Sequence, residues 1–70
     1  MEGDMNIEVN GKPMDLPAEQ SVADLVSALE LDGRLIVVEL NRQIVRRTER
    51  DEIRLRDGDR VEIVHFVGGG

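Results

Sequence analysis

Apolar and polar side chains alternate through Met5-Asn6-Ile7-Glu8-Val9. That is the two-residue period of a strand with one buried face. Asn10-Gly11 comes next, and both residue types tolerate the left-handed backbone of a two-residue hairpin turn. A turn there sets Val9 opposite Lys12, Ile7 opposite Met14 and Met5 opposite Leu16, and opposed residues share a sheet face. Two of those three pairs are apolar on both sides, so alternation and turn chemistry predict the same register. Pro13 has no N–H to give a ladder, which puts the second strand at a sheet edge.

The period then changes. Ser21 is a helix N-cap residue with Asp24 three positions on, a short form of the capping box. Val22, Leu25, Val26 and Leu29 lie at i, i+3, i+4 and i+7, one apolar stripe on a helix of roughly two and a half turns. Gly33 is expected to stop that helix in a left-handed conformation.

Leu35-Ile36-Val37-Val38-Glu39-Leu40 is nearly continuous and β-branched, the pattern of an interior strand. Asn41-Arg42 can turn the chain into a short strand, Gln43-Ile44-Val45. Arg46 to Glu52 has no clear period and is expected to be a loop with at most a helical turn, while Ile53 and Leu55 can anchor this segment to the core. Asp57-Gly58-Asp59 is a turn. Arg60 to Val67 is the last strand, with Val61, Ile63 and His65 on one face and Glu62, Val64 and Phe66 on the other. The order is strand, strand, helix, strand, short strand, strand. It gives an α+β domain in which one helix covers one sheet. The last strand is apolar on both faces and is placed centrally.

Composition narrows what such a domain can do. The chain has 70 residues, enough for one small domain that buries about 60% of its unfolded surface. It has no cysteine, hence no disulfide, thiol nucleophile or thiolate metal site. The beginning, MEGDMNIEV, has neither a basic nor an apolar signal region, and no apolar run approaches a membrane span, so a cytoplasmic location and no membrane partner are expected. The formal net charge is −6, and Phe66 is the only aromatic residue, so nucleic acid is a poor partner. Six of the eight arginines lie from Arg42 to Arg56, interleaved with Glu49, Asp51, Glu52 and Asp57, which suggests a solvated charged face, with a dedicated binding patch as the alternative.

No catalytic constellation is visible. His65 is the only histidine and reads as a strand residue near the sheet end. The terminal glycines are no phosphate loop, since the Lys and Ser/Thr are missing and no helix comes after them. Val64 and Phe66 form an apolar pair on the face that also carries Glu62, so they are either a contact patch or the underside of a loop. Gly68-Gly69-Gly70 succeeds the last strand directly. Glycine has no Cβ and accepts almost any backbone conformation. Such an end can thread a channel too narrow for side chains and deliver its carboxylate to a reactive centre elsewhere.

Three segments together resemble the ThiS family of ubiquitin-like sulfur carriers. They are Ile7-Glu8-Val9-Asn10-Gly11-Lys12, Val38-Glu39-Leu40-Asn41, and the most specific, Asp57 through Val64-His65-Phe66-Val67-Gly68-Gly69-Gly70. The resemblance covers residues 5 to 70. It implies a β-grasp fold, a mixed sheet of about four to five strands on one helix with the first and last strands adjacent and parallel. It implies residues 1–4 as an extension, 5–67 as the domain and 68–70 as a flexible tail. It implies a carrier rather than an enzyme, with no bound cofactor. A ubiquitin-activating-like enzyme would use ATP and magnesium to adenylate Gly70. A sulfur donor, a cysteine desulfurase or a persulfide, would convert it to a thiocarboxylate, and thiazole synthase would take the sulfur for thiamine. Val64, Phe66 and Val67 would contact these partners. The chain departs from the family's habit at Arg46, often proline, and near Arg50, often aromatic. The alternatives are a molybdopterin-synthase small subunit, a protein modifier joined through Gly70, and an interaction domain with an idle tail.

Overall fold

The computed structural model describes residues 4–66. Six elements keep the expected order: β1 (Asp4–Val9), β2 (Lys12–Pro17), α1 (Val22–Ala28), β3 (Ile36–Leu40), β4 (Gln43–Val45) and β5 (Arg60–His65), with short 3₁₀ turns at Gly33–Leu35 and Arg47–Glu49. The sheet runs β2-β1-β5-β3-β4. β1 and β5 are parallel, and the other neighbours are antiparallel. A mixed sheet on one helix with its first and last strands side by side is the β-grasp arrangement.

The hairpin register is the one the Asn-Gly turn dictates, with Val9 opposite Lys12, Ile7 opposite Met14 and Met5 opposite Leu16. Asn10 and Gly11 both have positive φ, at 51° and 83°. The β3–β4 turn repeats the device with Asn41 and Arg42 at 50° and 72°. Each turn asparagine also clamps the central strand. Asn10 Oδ1 accepts from Ile63 N–H at 2.8 Å while its Nδ2 donates to the Ile63 carbonyl at 3.2 Å. Asn41 Oδ1 accepts from Arg60 N–H at 3.0 Å. Thus β5, paired to β1 only at Glu8–Arg60 and Val9–Val61, is fastened from both sides.

The helix is seven residues long, shorter than the apolar stripe predicts. Its start is well satisfied. Ser21 Oγ accepts from Asp24 N–H at 3.0 Å and Asp24 Oδ2 accepts from Ser21 N–H at 2.9 Å. The Val22 and Ala23 N–H groups donate to the Ile53 and Arg50 carbonyls, both at 3.0 Å. These bonds satisfy donors that the first turn cannot bond itself, and they tie the 50–55 segment to the helix.

Gly33 does not stop the helix. Glu30 takes the left-handed position at φ 59°, and its N–H and that of Leu31 donate back to Ser27 and Val26. This is a Schellman closure, in which the residue after the cap turns left-handed and the next apolar side chain packs back; Leu31 lies against the core. Gly33 instead opens the first 3₁₀ turn, where an added Cβ would meet Arg50 Nη1 at 3.2 Å. Leu35, expected to begin a strand, closes that turn and is exposed.

The core lies between helix and sheet, with Ile7, Val22, Leu25, Val38 and Val61 its largest fully buried side chains. Ile53 and Leu55 do reach it, Leu55 buried and Ile53 packed against its edge.

Candidate functional site

The site lies where β5 ends. Along that strand Val61 and Ile63 are 0% and 7% exposed, while Val64 is 58% exposed and Phe66 just beyond it 61%. No segment among the described residues covers the outer pair. His65, placed with the inner face, is exposed because the sheet ends there.

Phe66 is hydrogen-bonded to the segment that leads into β3. Its N–H donates to the Leu35 carbonyl at 2.8 Å, continuing the β3–β5 ladder past the last strand residue. The chain therefore leaves the sheet from a hydrogen-bonded position. Val67, Gly68, Gly69 and Gly70, expected to form the contact and delivery end, lie outside the described residues.

Three further apolar side chains join this patch, and the sequence does not single them out. Val37 is directly opposite Val64. Leu35 supplies the carbonyl that holds Phe66, and Ile44 of β4 is 68% exposed. Their proximity depends on β3 lying between β4 and β5, which no local pattern announces. Val37, Ile44 and Phe66 line a groove of about 240 Å³ whose other walls include Arg34, Arg46, Arg47 and Arg50.

Arg50 corrects the expectation of a uniformly solvated charged segment, since it is only 7% exposed. Its Nη1 donates to the Gly33 carbonyl at 2.8 Å and its Nη2 to the Ile36 carbonyl at 3.0 Å, while Nε has no acceptor among the described residues. Burial, and secondarily the neighbouring Arg47 charge, lower its pKa from the ordinary value. A guanidinium nevertheless stays protonated. By holding the carbonyls on either side of Leu35, Arg50 fixes the segment on which Phe66 hangs.

At the rim, Arg34 grips Asp32 through Nη2 to Oδ2 at 2.9 Å and Nε to Oδ1 at 3.1 Å. These bonds, with the Arg34 backbone N–H, hold the Asp32 carboxyl down at about 2. Both side chains are exposed, so the pair adds little stability.

Among the described residues no group of three His, Asp or Glu is placed to hold a metal ion, and no helix is long and apolar enough to cross a membrane. What the site offers is an exposed apolar patch beside a chain exit hydrogen-bonded to Leu35, the residue before β3.

Comparison with known proteins agrees on one family. The sequence model of the ThiS family matches residues 7–70. The chain is 35% identical over 65 residues to the sulfur carrier protein ThiS of Bacillus subtilis strain 168, covering 91% of this chain and 98% of that protein. It is 36% identical over 66 residues to a thiazole synthase of Paramagnetospirillum magneticum, covering 94% of this chain but only 20% of the synthase. The crystal structure of a thiamine biosynthesis protein (ThiS) from Geobacter metallireducens superposes with a TM-score of 0.83 at 39% identity, over 94% of this chain and 100% of that one. From sequence and fold alike, the chain belongs to the ThiS family.

Proposed function

We propose that this protein is a sulfur carrier for thiamine biosynthesis, working through its terminal carboxylate. The observation that carries this is the exit of β5. A central strand clamped on both sides ends at Phe66, hydrogen-bonded to Leu35, beside exposed Val64 and only four residues before Gly70. Membership of the ThiS family supports it, as does similarity to a curated sulfur carrier along almost its whole length.

A carboxylate is a poor electrophile, so the Gly70 oxygen must first attack the α-phosphorus of ATP, with pyrophosphate leaving. The resulting acyl-adenylate forms on an activating enzyme that supplies magnesium and the adenylation site. The terminal sulfur of a persulfide then attacks the carbonyl carbon and displaces AMP. A thiol cleaves the S–S bond, and the thiocarboxylate is left on Gly70. Its sulfur is anionic at neutral pH and nucleophilic for the reason thiolates are. The carrier contributes position: a firm body for partners to grip and a side-chain-free end to insert. Thiazole synthase is the receiving partner, and the presence of a similar segment within curated thiazole synthases supports that pairing.

The test is intact mass after incubation with ATP, magnesium, the activating enzyme and a sulfur donor. One oxygen should be replaced by sulfur at Gly70. An unchanged mass under conditions that activate the Bacillus subtilis carrier would refute the proposal.

A further inference from the structure

The charge of this molecule is unevenly distributed. The chain carries −6 overall, yet the groove beside Phe66 is walled by Arg34, Arg46, Arg47 and Arg50. Arg34 is neutralised by Asp32. Arg46, Arg47 and Arg50 have no carboxylate within ion-pair distance among the described residues, where the ion pairs are Arg34–Asp32 and Arg60–Glu8. Arg50 is buried, with its two Nη atoms bonded to backbone carbonyls and its Nε without an acceptor among the described residues. On the outer sheet face, two residues along from Val37 and Val64, Glu39 and Glu62 stand directly opposite each other, and Glu39 is also the cross-strand partner of Ile44. Carboxylates and guanidinium groups thus both border the apolar patch, with the guanidinium groups gathered around the groove beside Phe66.

The lining is also mixed in kind. Ile44 and Phe66 are exposed, Val37 is half-buried, and the unpaired guanidinium groups surround them. A mobile phosphate would use the charges and waste the apolar surface. A purely apolar segment would cover the arginines without pairing them. An occupant that satisfies both is a protein segment with an apolar side chain flanked by carboxylates. The carboxylates can take the two-pronged bonds that arginine offers, and complementary charge of this kind fixes orientation and speeds encounter.

We propose that this groove receives an acidic, apolar-tipped segment of the protein that accepts the chain end, with Val37, Ile44 and Phe66 under its apolar side chain and Arg46 and Arg47 on its carboxylates. The proposal rests on the carrier function above. It makes the groove the device that sets the distance between the acceptor's surface and Gly70, since Phe66 belongs to both the groove wall and the chain exit.

The experiment measures binding of the full chain to thiazole synthase of the same organism at low and at raised sodium chloride. It compares wild type, the pair Arg46→Glu with Arg47→Glu, and the charge-matched pair Arg42→Glu with Arg56→Glu outside the groove. All four positions are exposed, and melting curves check that the variants fold. The groove pair should weaken binding about tenfold or more and flatten its salt dependence, as loss of rim charges does. The outside pair should stay near wild type. Equal loss in both pairs would reveal only long-range charge, and no loss in the groove pair would mean the arginines face solvent. Either outcome overturns the proposal, as does a synthase that fails to bind the wild-type chain. Thiocarboxylate formation on wild type, read by mass, separates the two ideas: sulfur on Gly70 with undiminished binding by the groove pair sinks the groove and leaves the carrier intact.

Discussion

The two faces of β5 use the same kinds of residue for opposite ends. Val61 and Ile63 are sealed against the helix, whereas Val64, three residues from Val61, and Phe66 stand in the open. Among the described residues the helix is the only layer packed on this sheet, so one face is a core and the other is surface. Apolar side chains on the second face do nothing for the fold that a polar residue could not do as well. Their exposure beside the chain exit is the ground for the partner contact proposed above, and the division predicts how each face answers to substitution.

The largest effect should come from the inner face. Ile63→Ala is expected to destabilise by about 2–5 kcal/mol through lost burial and the cavity left behind. Phe66→Ala should stay within about 0.5 kcal/mol, as exposed positions do, while weakening partner binding. Denaturant unfolding of both variants checks this, and comparable losses would erase the distinction between the faces.

Arg50 sharpens the comparison, because it is a buried residue that serves the exposed end. Arg50→Ala removes two hydrogen bonds from a charged donor and should cost about 1.5–3 kcal/mol. It should also release the Leu35 carbonyl from its fixed place. Hydrogen exchange at Phe66 N–H should then accelerate more than global unfolding explains. Exchange that rises only in step with global stability would show that Arg50 supports the fold without holding the exit.

The capping box, far from the outer face, should act on stability alone. Ser21→Ala is expected to cost about 1 kcal/mol and leave partner binding unchanged. The Asp24 carboxyl is held below its ordinary value of 3.8, chiefly by the Ser21 backbone N–H and then its hydroxyl. A depressed carboxyl pKa favours folding above the unfolded value. The contribution is present above about pH 4 and fades as pH falls through the lower folded value. Ser21→Ala should therefore flatten part of the acid limb of a stability–pH curve, and an unchanged limb would remove the cap from that balance.

Much of this division can be read from the chain. Asn10-Gly11 and the flanking alternation point to one register, and Ser21 with Asp24 marks the helix start through chemistry confined to four residues. Val64 and Phe66 stand out because alternation along a single strand separates them from Val61 and Ile63. The features that escape local reading depend on distant backbone. Glu30, not Gly33, turns left-handed because Leu31 can pack on the core behind it, which the nearby glycine disguises. Arg50 is indistinguishable in sequence from its solvated neighbours, since its burial depends on carbonyls 17 and 14 residues earlier. Leu35, Val37 and Ile44 become part of the site only once β3 is known to separate β4 from β5. The two turn asparagines read correctly as turn residues, but their hold on β5 is a tertiary fact.

The most direct measurement moves the chain end without touching either face. One alanine added after Gly70 displaces the terminal carboxylate by about 3.5 Å, and a reacting group misplaced by even ~1 Å can lose on the order of a hundredfold in rate. The extended chain should melt as wild type does and still bind the activating enzyme. ATP–pyrophosphate exchange with that enzyme should be lost. Exchange at the wild-type rate would contradict a carrier whose chemistry lies in the position of its Gly70 carboxylate.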